Sequence, residues 1–407
     1  MTTFRVAKRA FALGSVLLMA SSAAPGDELA SKIRGGDTEE AGLVAETKGE
    51  FSAYADTDAV SVWTPAVEGT LRNSLGGWSL SGSYLVDVVT AASVDIVSTA
   101  SGKWQEVRHA ASLSGTYKPQ SFGVTVVGSL SREPDYLSLT AGGSAMLELA
   151  DKTITPTLGY TYTRDTSGRT DTPFSVYSLE LQRHGVNGGV ELILDPTTAL
   201  TIVGDAIFET GRQEKPYRFI PLFSPGLEDQ IPVGSSVARV NALRLPGRIA
   251  EHDPDTRNRF ALSARLAQRV SGATFVLAER LYADDWGLKA STTDVRALMD
   301  ASRRVFIWTH LRGHAQSGAS FYRRVYTATV SGDTLDVPLL RTGDRELGPL
   351  LAGTFGGGLR WFVAAEPRVD EWSVILQTEV TTTNFRDALF VQNRLAFFSA
   401  VQVEAQF

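Results

Sequence analysis

From about residue 48 onward the chain alternates, with apolar or aromatic residues at every second position and small or polar residues between them. Leu137, Leu139, Ala141, Gly143, Ala145, Leu147 and Leu149 share one face, and Ser138, Thr140, Gly142, Ser144 and Glu148 the other. The next run repeats it, with Ile154, Pro156, Leu158, Tyr160 and Tyr162 against Thr155, Thr157, Gly159, Thr161 and Thr163. A period of two is the signature of a β-strand with two unlike faces. The pattern predicts strands near 48–56, 59–71, 77–88, 105–117, 121–132, 135–149, 153–164, 176–194, 198–210, 257–270, 273–283, 287–299, 303–314, 350–363, 371–383 and 394–407. That is about sixteen, and fourteen to eighteen fit the same alternation. Strands of a soluble sandwich usually have about 5–6 residues. These are longer, and a membrane strand needs ~9–11 with a lumen face free to carry Gly, Ser and Thr. The expected fold is all-β: a transmembrane antiparallel up-and-down barrel.

The order of connections supports this. Starting from a periplasmic N-terminus, the odd-to-even connections include the three longest, near 89–104, 211–256 and 315–349. The even-to-odd ones read as tight turns such as Asn73-Ser74-Leu75-Gly76, Asp195-Pro196-Thr197 and Ser271-Gly272. Bacterial barrels place short turns in the periplasm and long loops outside. Under that topology Trp78, Tyr117, Phe122, Trp361, Trp372 and Phe407 point outward at the inner ends of strands and form an aromatic girdle at headgroup level. The last strand fixes the parity, with Leu395, Phe397, Val401, Val403, Ala405 and Phe407 toward lipid and Gln402, Glu404 and Gln406 toward the lumen.

Composition narrows the compartment. Residues 1–23 have basic Arg5, Lys8 and Arg9, an apolar run over Ala10–Ala20 and a small-residue end, the layout of a cleaved secretory signal. Residues 24–47 read as a flexible periplasmic tail and 48–407 as the barrel. No other stretch approaches the ~18 apolar residues of a membrane helix. The chain has no cysteine, which excludes disulfides, thiolate metal sites and covalent haem attachment. A net charge of −6 over 407 residues gives no footprint for nucleic acid. These features place the expected protein in the outer membrane of a Gram-negative bacterium.

Charge on the inward parity suggests a functional surface. Arg259, Arg265, Arg296, His310, Arg312, His314 and Arg360 face the lumen, and so do Glu148, Glu191, Asp205, Glu209, Glu379 and Glu404 on flanking strands. An Arg turned to lipid near the midplane would cost ~2–4 kcal/mol, so energetics agree with parity. An arginine wall facing acids would set a transverse field at a constriction and screen solutes. The alternative is a lumen filled by mutual ion pairs. His310 and His314 are two ligands without a fixed third, so no metal is expected. Asp284-Asp285 before Trp286-Gly287 could bridge to lipopolysaccharide through a divalent ion, although such a pair usually serves turn chemistry. The five histidines come with no nucleophile elbow or recognisable hydrolase set, so no enzyme and no cofactor are expected.

One internal repeat, Val86-Asp-Val-Val-Thr-Ala-Ala-Ser93 followed by Val94-Asp-Ile-Val-Ser-Thr-Ala-Ser101, straddles the first long loop. Together with Glu106-Val-Arg-His109, Arg280-Leu-Tyr-Ala-Asp-Asp-Trp-Gly287, and His310-x-Arg312 with Gln316-x-x-Ala319-x-Phe-Tyr322, it resembles a proteobacterial outer-membrane β-barrel family catalogued as a domain of unknown function, the DUF family numbered 3570. The hairpin carrying Arg280, Tyr282, Asp284, Asp285 and Trp286 is the most specific of these landmarks. The chain departs from the family pattern at His310, where an aromatic residue or Arg is more usual, and in its long 211–256 connection. The resemblance implies a barrel and export, and it implies no reaction. It also suggests proximity to periplasmic redox or flavin-transfer components.

The leading expectation is therefore a porin-like channel for small polar or charged solutes. A nonconducting barrel, or a sheath for a periplasmic or extracellular redox partner, is the alternative, and a barrel hydrolase ranks behind both. Expected partners are outer-membrane lipid and lipopolysaccharide, and the barrel-assembly machinery acting on the C-terminal strand.

Overall fold

The computed structural model describes residues 42–91, 104–332, 334–363 and 371–407. The signal segment, the tail up to residue 41, the second half of the internal repeat and the 364–370 connection lie outside the described residues.

Sixteen strands close into one antiparallel barrel. The first nine are β1 Val44–Asp56, β2 Val60–Asn73, β3 Trp78–Ala91, β4 Trp104–Tyr117, β5 Phe122–Glu133, β6 Tyr136–Leu147, β7 Ile154–Ser167, β8 Leu179–Asp195 and β9 Thr198–Gly211. Three two-residue strands follow in the long outer loop after β9: β10 Phe219–Ile220, β11 Leu222–Phe223 and β12 Ile249–Ala250. The wall resumes with β13 Thr256–Val270, β14 Ala273–Asp284, β15 Lys289–Asp300 and β16 Val305–Gln316. The long outer loop after β16 carries β17 Tyr326–Thr327, β18 Thr329–Ser331 and β19 Thr334–Asp336, and β20 Leu350–Phe362, β21 Glu371–Phe385 and β22 Asn393–Gln406 complete the wall. Closure is made by β1 on β22, ending where Ala45 and Phe407 exchange two backbone hydrogen bonds of 3.0 and 2.8 Å. Closing the sheet removes the edges whose unpaired amides a bilayer could not satisfy.

Two boundaries differ from the sequence expectation in instructive ways. β1 begins at Val44, so the last residues assigned to the tail are paired with β2. Their alternation is masked in sequence by Glu46 and Lys48, which lie on the inward side. The ladder of β6 stops at Leu147, with only a Leu149–Ile154 bridge beyond it. Ala150, Asp151 and Lys152 all adopt positive φ there, so the chain turns before the apolar alternation ends.

The outward parity forms the apolar belt, with Leu113, Val126, Leu158, Leu262, Leu311 and Phe355 more than half exposed. Apolar side chains turned outward in a closed barrel meet lipid, and this is where the chain spends its hydrophobic surface. Trp78, Tyr117, Phe122, Trp361, Trp372 and Phe407 lie on this outward surface at the short-turn end, all exposed. Trp372 and Phe407 pack edge to face at 6.1 Å. At the turn between β2 and β3 Gly77 has φ +63°, and a Cβ there would run into the backbone of Pro119.

Candidate functional site

Along the inner wall most of the foreseen charges find a partner close by, on the same strand or within two strands of it. Arg259 of β13 bonds Glu209 of β9 at 2.5 Å, and Arg280 of β14 bonds Asp205 at 3.0 Å. Arg296 and Arg312 share Asp294 of β15, at 2.7 and 3.0 Å. Arg360 bonds Glu404, Lys118 bonds Glu148, and Lys48 stands 3.9 Å from Glu404. Arg265 and Glu191 are also inward, on β13 and β8, half-buried. The acids therefore stand beside the arginines along the wall, where the sequence reading had set them opposite. Reach explains this: long inward side chains on the same or nearby strands meet one another, whereas groups across a sixteen-strand lumen are far apart.

Pairing leaves the guanidiniums wet at mid-wall. The Arg280 and Arg312 side chains are 44% and 43% exposed, whereas Arg259 near the outer rim is 10% exposed. His310 stands between two carboxylates, its Nδ1 3.4 Å from Asp294 and its Nε2 3.3 Å from Glu379. Glu379 lies on β21, with β20 between, and the imidazole reaches it because Gly356 offers no Cβ to obstruct the ring. His314 instead meets Thr292 Oγ1 at 2.7 Å, so the two imidazoles serve different partners.

Sequence reasoning missed two parts of this surface. Glu50 and Glu68 sit on the inward faces of β1 and β2, four and five strands round the ring from β16. Both lie within the predicted strands 48–56 and 59–71, where inward parity alone marks them. Below the arginines toward the short-turn end, Ala267, Val276, Leu298 and Phe306 form a buried inward cluster with Trp308 packed on it. Arg360 lies 4.9 Å over the Phe362 ring beside it. Large apolar residues on a lumen face run against simple alternation, so no sequence signal marked this shelf.

The outer hairpin motif is a structural latch. Asp284 is fully buried, bonded by Arg257 at 2.5 Å, by the Tyr282 hydroxyl at 2.9 Å and by the Leu288 amide at 2.9 Å. Asp285 accepts from the Asn258 amide at 3.0 Å and its Nδ2 at 2.8 Å. Trp286 is buried, donates Nε1–H to the Thr256 carbonyl at 2.8 Å and carries Arg257 4.3 Å over its ring. Both carboxylates are thus engaged by groups of the protein itself, as in the turn chemistry such a pair usually serves. Another group, Glu106, Glu133 and Asp135, is buried with oxygens within 4.8 Å of one another. Asp135 is held by Tyr217 at 2.9 Å.

The two longest outer loops form one cap. β11 pairs with β17 in parallel, and His252 and Arg341 exchange backbone bonds of 2.9 and 3.0 Å. Phe223, Ile231 and Val240 make one core of the cap, and Ile220, Leu222, Tyr326 and Ala328 a second. Arg218 bonds both Glu251 and Asp344 at 2.9 Å, joining the loops. Burial alone would lower the Arg218 pKa, but Asp344 and Glu251 outweigh it and hold the group charged. Burial raises the Tyr326 phenol to about 12, so its hydroxyl stays protonated, donating to Phe321 O and accepting from the Thr342 amide. The cap reaches the rim at Asp58 between β1 and β2, at Asp135 between β5 and β6, and at Asp387 between β21 and β22. Attachments on both halves of the rim place it over the mouth.

Residues 211–372 match the model of a family described as "Protein of unknown function (DUF3570)". That stretch includes the 280–287 hairpin and the 310–322 segment, and also the 211–256 connection read above as a departure. No curated protein matches the chain. Among solved structures, the siderophore receptor PirA from Acinetobacter baumannii is 10% identical, with 83% of this chain and 52% of the receptor covered and a TM-score of 0.39. OccK7 (OpdD) from Pseudomonas aeruginosa is 9% identical, with 90% and 98% covered and a TM-score of 0.43. OccK11 (OpdR) from the same organism is 10% identical, with 90% and 96% covered and a TM-score of 0.41. The chain spans about half the length of the siderophore receptor.

Proposed function

We propose that the chain is a passive channel of the Gram-negative outer membrane, passing small polar or charged solutes along an arginine-rich wall beneath the outer cap. The observation that carries this reading is the exposure of Arg280 and Arg312, 44% and 43%, on the inward face of a closed barrel. Paired guanidiniums that stay open to solvent need water in the lumen, and a barrel of this strand number has room for it. The basic surface on β14–β16 and the acids Glu50 and Glu68 farther round the wall would give passing ions two unlike sides. On this reading the belt meets outer-membrane lipid and lipopolysaccharide, and the strand ending at Phe407 is what the barrel-assembly machinery engages.

Liposome swelling tests it. Proteoliposomes carrying the folded barrel should swell in small sugars and in small organic anions, with Arg280→Gln/Arg312→Gln slowing the anions more than the sugars. Absence of swelling with either solute, from barrels shown to be folded and inserted, would contradict the proposal.

A further inference from the structure

Glu279 is on the wrong side of the wall for a lumen charge. β14 turns Phe275, Leu277, Glu279 and Leu281 outward, and the three apolar members of that row are half exposed to the lipid side. Among the described strand residues, Glu279 is the one carboxylate with apolar outward neighbours on both sides along its own strand. Its oxygens accept from Ser291 at 2.6 Å and Thr293 at 2.5 Å, hydroxyls on the outward face of β15. Hydroxyls ease the desolvation of a carboxylate without cancelling its charge, and an ionisable group held in hydrocarbon calls for a partner. The cross-strand row through it is shallow: Ala264, Glu279, Thr293, Gly313 and Gly353 lie in register from β13 to β20. A Cβ added at Gly313 would meet nothing within 4 Å. Another protein surface could therefore approach the backbone closely there.

The same chain carries a complementary outward group. His184 on β8 is exposed, with Nδ1 2.8 Å from the Tyr160 hydroxyl and its ring 5.1 Å from that of Tyr162. With Nδ1 engaged, Nε2 is the atom left to meet an acceptor. β8 and β14 are three strands apart round the sixteen-strand ring. That is about 68° of arc, close to the roughly 60° that separates the two patches of a subunit in a closed ring of three.

We propose that the wall bearing Glu279 is a docking surface for a second copy of this chain, which presents its β7–β8 wall with His184, Tyr160 and Tyr162, and that the contact closes as a trimer. The proposal rests on membrane residence and not on conduction, so it can fail while the channel reading stands. Because the chain has no cysteine, paired introduced thiols report the contact. Val186→Cys with Thr293→Cys, oxidised in membranes, should give a ladder ending at cross-linked trimers, while neither single variant does. Adding Glu279→Gln should lower the yield roughly tenfold, a loss of about 1.4 kcal/mol of association. Folded barrels that give no ladder, Thr293→Cys alone cross-linking as an efficient dimer, or a yield indifferent to Glu279→Gln would each overturn the proposal.

Discussion

Arg345 and Asp58 lie 287 positions apart in the chain and meet at 2.5 Å, both almost fully buried, where the cap touches the rim between β1 and β2. Arg345 also lies 4.8 Å over the Phe385 ring. Removing one member of such a buried pair typically costs about 3–5 kcal/mol, because the other charge stays desolvated. Asp58→Asn should therefore free this edge of the cap while leaving the barrel intact. Limited trypsin digestion should cut near Arg323 and Arg324 faster in the variant, with the barrel core surviving. Equal digestion rates would show that the contact does not hold the cap down.

Gly356 makes room for the imidazole that joins Asp294 to Glu379. A larger residue must displace the ring or the strand, and overpacking of this kind costs about 1–3 kcal/mol. Gly356→Val should lower the unfolding temperature of the barrel, and His310→Ala on the Gly356→Val background should recover part of the loss. No recovery would place the strain elsewhere.

Charge on the two sides of the lumen should act in opposite senses. Arg296→Gln with Arg312→Gln should shift the zero-current potential in a salt gradient toward cation preference, and Glu50→Gln with Glu68→Gln toward anion preference. Shifts of the same sign in both variants would rule out two unlike sides.

The cap should be firmer in mild acid. Asp253 is buried, and burial first, then the neighbouring Glu251, push its carboxyl well above the ordinary carboxylate range; Asp344 adds to this, while Arg218 and Lys215 oppose it. A folded-state value above the unfolded one means the native cap takes up the proton. Stability then rises as pH falls from neutrality through the raised value and is lost as pH climbs back. Protection factors at Thr342 and Gly343, referred to the intrinsic exchange rate at each pH, should rise on acidification, and in Asp253→Asn they should be high already at neutral pH. Protection factors that fall in acid would contradict this sign.

The wall was readable in the sequence because a lipid-facing barrel imposes strict alternation, and the inward placement of Arg259, Arg312 and Glu404 followed from parity alone. What parity lacks is register. Arg296, Arg312 and Asp294 share a cluster through the pairing of β15 with β16, which no local pattern encodes. The cap was legible only as length, since Phe223, Ile231 and Tyr326 are brought together by loops without periodicity. Glu279 lies in plain view on the outward parity between Leu277 and Leu281, but alternation alone does not say that Ser291 and Thr293 stand beside it, since that too depends on register.

Planar-bilayer recording of the purified, folded chain tests the channel most directly. The account predicts stable steps of ohmic conductance whose ion preference moves toward cations when Arg312 and Arg360 are replaced by Gln. Inserted barrels that pass no current, or a conductance with the same ion preference after both charges are removed, would contradict it.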